Sequence, residues 1–212
     1  DVGGTFHAFS RNTSLGPAAE VLPPDADRAI SVLAAGVLEP AFRPATFSIE
    51  RDAQLAELRQ DDDDVVALGR KLVRQKFFGA HPLALDSSGD QAGVKSLVPA
   101  DLAALHRRLL VAPNVVLAVA GDFNPRTLGP KLKAFLAKLP AGPAPAATPE
   151  FTGPAAAGDF TERQPREQAV VFQAFPAPVL RAPDFYAGEV ADELFSGMAS
   201  RLFERVREEK GL

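Results

Sequence analysis

The sequence has no cysteine, which excludes disulfides, thiolate zinc sites and a cysteine nucleophile. That absence leaves the compartment open between bacterial periplasm and cytoplasm, because proteins of both can lack cysteine. Histidine is almost as scarce. Only His7, His81 and His106 are present, and no two stand three or four residues apart, the spacing that places a ligand pair on one helix face. A self-contained zinc site is therefore not expected. Basic residues show no excess: Lys+Arg 23 against Asp+Glu 27 leaves a net charge of −4, with no basic block to attract nucleic acid. Long apolar runs are missing as well. The stretches Ile30 to Leu38 and Val115 to Ala120 fall far short of the roughly 18 apolar residues of a transmembrane helix.

What is present is the balance of a globular protein, 46% hydrophobic and 24% charged residues over a chain of 212. That length suits one large domain or two modest ones. The chain opens on Asp1 and stops at Leu212, just after a strongly helical run, so a fragment of a longer polypeptide is expected. No signal-peptide pattern stands at its N-terminus, which in a fragment carries no information about export.

Pro140, Pro143, Pro145, Pro149 and Pro154 are interleaved with Ala and Gly. Proline fixes φ and withholds the backbone donor, so residues 140–154 are expected to be an extended linker. It separates a first unit, residues 1–139, from a second that begins at 155. In the first unit, Thr5 to Ser10 and Ala18 to Leu22 read as short strands around a turn region at Asn12 to Pro17. Asp25 is placed to cap a helix that carries Ile30, Leu33, Ala34, Val37 and Leu38 and stops before Pro40. Pro44 starts a second helix, to about Gln60, and the run Asp61 to Asp64 suits the positive end of a third that reaches Phe78. The same four aspartates lack the loop glycine and alternating spacing of a calcium site. Pro99 opens a helix to Leu110, Asn114 to Ala120 reads as a buried strand, and Asn124-Pro125 launches a helix to about Leu139. Beyond the linker a strand is expected at Gln168 to Phe175, with helices near Asp184 to Phe195 and Ala199 to Lys210 and a cap at Gly211.

Several segments stand in an order that carries a family resemblance. Gly3-Gly4-Thr5-Phe6-His7-Ala8, Glu50-Arg51 with Glu57, Phe78-Gly79-Ala80-His81-Pro82, Leu97 to His106, Asn114 to Phe123 and Ser196 to Leu212 are the segments. Together they resemble the pitrilysin and insulinase family of zinc metallopeptidases, which includes the mitochondrial processing peptidases. The last segment, with Ser200-Arg201-Leu202-Phe203 and Arg207-Glu208-Glu209-Lys210-Gly211-Leu212, is the most specific of them. The resemblance implies an α+β fold in which an antiparallel sheet carries helices packed on one face, followed by the start of a second similar domain.

Chemistry in that family needs a helix bearing His-x-x-Glu-His plus a distant glutamate as third zinc ligand. This sequence contains no such helix; the family's spacing would put it roughly twenty residues before Asp1. Glu57 matches the third-ligand position, and Glu50 the acid that supports it from behind. Without the histidine pair neither can hold catalytic zinc. Two acids seven residues apart on a helix are also ordinary solvated groups, with Arg51 or Arg59 as ion-pair partners. His7 stands where the family has Asn and Ala56 where active members carry a further acid, departures that fit a diverged, non-catalytic copy. Arg207 matches the family's substrate-binding arginine, the alternative being an exposed arginine paired with Glu204 or Glu208. His81 and His106 read as structural or surface histidines.

The resemblance thus implies an inactive domain of a bacterial zinc metalloendopeptidase that helps to enclose and bind peptide substrate. Neither metal nor catalytic residue is expected in this chain; zinc would lie in the parent or partner catalytic domain. The expected partners are that catalytic domain, in the same chain or a homo- or hetero-dimeric partner, and a peptide. The alternatives are a piece of the active domain whose zinc helix lies upstream, and a structural subunit homologous to the peptidases.

Overall fold

The computed structural model describes residues 3–154, 157–165, 167 and 169–211. Contacts divide the chain into two compact units, residues 1–171 and 172–212. The fold class is α+β, with an antiparallel hairpin and a majority of helix.

In the first unit β1 (Thr5–Ser10) pairs with β2 (Leu15–Glu20) in the register Thr5↔Glu20 to Ser10↔Leu15. The turn is tighter than the sequence suggested: the Arg11 amide donates to the Ser14 carbonyl at 2.7 Å, and Pro17 lies within β2. Hydrogen-bonded pairs alternate along an antiparallel ladder. The bond at Arg11 and Ser14 therefore makes Ala8↔Pro17 a non-bonded pair, where the missing N–H of proline faces away from β1.

Helix α1 (Ala26–Leu38) ends before Pro40 and packs against β2. Helix α2 (Pro44–Asp63) begins on a proline at its first turn, whose missing donor costs nothing there. It runs further than expected, so Asp61, Asp62 and Asp63 belong to its last turn and only Asp64 caps α3 (Val65–Phe78). Short α4 (Gln91–Ser96) follows, with Asp90 Oδ1 accepting from the Gly93 amide at 2.9 Å. Leu55 and Leu58 of α2 close on Val94 of α4 to form a small buried cluster, Leu58 being 3% exposed. α5 (Pro99–Leu109) and α6 (Pro125–Leu136) complete the unit, α6 burying Leu128 and Phe135. Lys131 of α6 reaches the carboxylate of Asp27 on α1.

Asn114 to Ala120 forms no strand. Val115 has extended dihedrals, φ −107° and ψ 131°, but the segment has no ladder among the described residues, and Val116 is 92% exposed. A strand exists only as a pair, and apolar β-branched composition alone does not supply the neighbour. Similarly, 169–175 is unpaired among the described residues, and Gln168, where that strand was expected to begin, lies outside them. Residues 140–154 contain no helix or strand and are largely exposed.

The second unit contains α7 (Phe185–Phe195) and a π-helical turn at Phe203–Glu208 where an ordinary helix was expected. There the Glu209 amide donates to the Glu204 carbonyl at 3.0 Å, five residues back. Gly211 closes the turn at φ 69°, donating to Arg207, as a glycine cap does. Among the described residues no helix is long and apolar enough to cross a membrane.

Candidate functional site

Helix α2 presents Glu50, Gln54 and Glu57 along one stripe, since steps of four and three residues return to the same side. Leu55 and Leu58 occupy the buried side. Glu50 lines a groove of about 730 Å³, whose other walls include Phe47, Arg51, Gln54, Asp101 and Arg108. Glu57 lies outside that groove and is exposed. Neither glutamate makes an ion pair among the described residues; Arg51 pairs with Asp52 instead, at 3.5 Å. Its guanidinium stands 5.7 Å from the centre of the Phe47 ring, and its buried Nε has no hydrogen-bond partner among the described residues. Asp101 and Arg108 were not singled out from sequence. Their only local signal is position, an acid in the first turn and a base in the last turn of α5.

The histidines are dispersed. His7 is an exposed residue of β1. His106 lies 2.7 Å through Nε2 from the Val37 carbonyl and meets the Phe42 ring edge-on at 5.8 Å. A carbonyl only accepts, so Nε2 carries the proton and donates. His81 accepts the Leu83 amide at Nδ1, 3.1 Å away, and donates from Nε2 to the Pro149 carbonyl at 2.8 Å. Among the described residues no group of three His, Cys, Asp or Glu side chains could hold a metal ion. The donor set does not fit zinc, which requires three or four such ligands converging at about 2.0–2.3 Å.

Arg207 lies in the π-helical turn of the second unit, exposed, with its guanidinium 5.7 Å from the centre of the Phe203 ring. Among the described residues it makes no ion pair with Glu204 or Glu208. The contact with Phe203 limits the directions its donors take.

The chain has relatives among known proteins. An uncharacterized zinc protease of Mycobacterium tuberculosis is 28% identical over 215 residues, covering 100% of this chain and 49% of the relative. The chain thus spans about half the length of the curated relatives it matches. The crystal structure of a peptidase M16 inactive domain from Pseudomonas fluorescens superposes with a TM-score of 0.79 at 22% identity, over 100% of this chain and 52% of that one. A chain of Complex III2 from Candida albicans shares the fold at a TM-score of 0.73 and 17% identity, over 99% of this chain and 52% of that one. The family model for the peptidase M16 inactive domain matches residues 96–212, more than half of the sequence, and the chain belongs to that family.

Proposed function

We propose that this chain is a non-catalytic part of a zinc-dependent peptidase, and that it helps to enclose and bind peptide substrate while a catalytic domain supplies the metal. The observation that carries the reading is the inactive-domain match over residues 96–212, which includes the exposed Arg207 and its turn. The names of the relatives, zinc proteases about twice as long as this chain, support zinc in the parent protein. The catalytic domain belongs to the same polypeptide or to a dimeric partner. The division we propose puts residues 1–139 in one peptidase-family domain and the start of the next at 155, ahead of the contact boundary between 171 and 172.

Arg207 would act on the substrate backbone. A guanidinium donates in a planar fork, so it can hold peptide carbonyls and keep the chain extended without entering the metal's coordination. In the full-length protein, Arg207→Ala should lower kcat/KM about tenfold, with zinc content and melting temperature unchanged. Unaltered kinetics would return Arg207 to the surface. A full-length protein without any chelator-sensitive peptidase activity would favour a structural subunit, the reading that likeness to a Complex III2 chain keeps open.

A further inference from the structure

The proline-rich segment is tied down at both ends. At its start the Ala112 amide donates to the Pro140 carbonyl at 2.9 Å. Gly142 lies so close to Val111 that a Cβ there would stand 2.8 Å from the valine Cγ1. Further on, Phe151 sits among three rings at the C-terminal corner of α3, with centroids 5.5 Å from Phe77, 4.8 Å from Phe78 and 5.6 Å from His81. His81 donates to Pro149, two residues before it. Lys76, on the last turn of the same helix, stands 5.2 Å from the centre of the Phe160 ring. Between these anchors Gly153 takes φ 135° and Gly158 φ 146°, values that suit glycine alone.

We infer that residues 149–154 form a strap latched onto the corner of α3, with Phe151 as the bolt and His81 as the catch. His81 is suited to this because a neutral imidazole is donor and acceptor at once. Nδ1 takes the Leu83 amide of the corner, so the proton is fixed on Nε2 and points at the strap. The ring contacts are of a kind that holds a short segment, since each aromatic pair adds stabilisation beyond its buried area. Closed, the latch removes the stretch from Pro149 to Pro154 from the free chain. Open, it releases that length as slack on the C-terminal side of α3, a change of tether with no rearrangement of helices.

A protease that cuts after glutamate tests this, because Glu150 lies inside the latch and Glu162 beyond it. His81→Ala and Phe77→Ala leave both cleavage sequences intact. Each should speed cutting at Glu150 about tenfold and leave Glu162 unchanged, since cleavage follows the population of the open form. Equal rates at Glu150 in the unaltered protein and both variants would overturn the latch. Where a variant disturbs the corner itself, the second measurement decides. The Nε2 proton of His81 should be visible by NMR in the unaltered protein and lost to exchange in Phe151→Ala. Its persistence in that variant, or its absence from the unaltered protein, would overturn the assignment.

Discussion

Asp64 shows how much one residue's position decides. Its carboxylate accepts the Ala67 amide at 3.1 Å and the Val66 amide at 2.7 Å. These two donors, with a smaller contribution from Arg70, hold its pKa below the ordinary aspartate value. The fold therefore favours the ionised form. The stabilisation is complete above the unfolded pKa and disappears as pH falls through the lower, folded value. Asp64→Ala should lower the melting temperature at neutral pH, whereas Asp64→Asn keeps the cap and removes this part of the acid dependence. Melting curves between about pH 2 and 6 check it; the same pH slope in the Asp64→Asn variant and the unaltered protein would refute the account. The other three aspartates illustrate what sequence could not tell. A run of four acids points to a helix start, but the boundary fell after the third, leaving Asp61, Asp62 and Asp63 at the unfavourable end of α2. Asp62 is compensated by Lys71 at 3.7 Å and by the Gln91 side-chain amide at 2.6 Å, neither of which the local pattern reveals.

Among the elements, helices were legible because their signals are local. Prolines at the first turn of α2, α5 and α6 and the Asn124 cap of α6, which accepts the Arg126 amide at 2.9 Å, mark their starts. Strands were less so, since Val115 to Ala120 has strand composition and no paired neighbour among the described residues. The candidate site divides the same way. Glu50 and Glu57 lie on the helix that Pro44 announces, while the groove that takes Glu50 and excludes Glu57 depends on where α5 packs. Helix α6 carries a local conflict of its own: Pro130 stands in its interior and is exposed, so the Arg126 carbonyl has no donor four residues on. Pro130→Ala should stabilise the protein by about 1–3 kcal/mol, read as a higher urea midpoint. A lowered midpoint would mean that the packing of Leu128 and Phe135 requires the proline.

On the scale of the whole molecule, the histidines and the two α2 glutamates gather into no metal-binding group among the described residues. His81 and His106 each commit Nε2 to a backbone carbonyl, His7 lies on the hairpin, and Glu50 and Glu57 stand on α2. After dialysis against a weak chelator the chain should retain no stoichiometric zinc by elemental analysis; one bound zinc with chelator-sensitive proteolysis would contradict the reading. The hairpin has a consequence of the same scale. Pro17 sits where its nitrogen faces outward from β2, so the outer rim of that strand is missing one donor in the middle of its length. A further strand laid along β2 would leave a carbonyl without a partner, whereas the free side of β1 offers an unbroken row. The two rims of the hairpin are therefore unequal: an added strand would find every donor along β1 and a gap at Pro17 along β2.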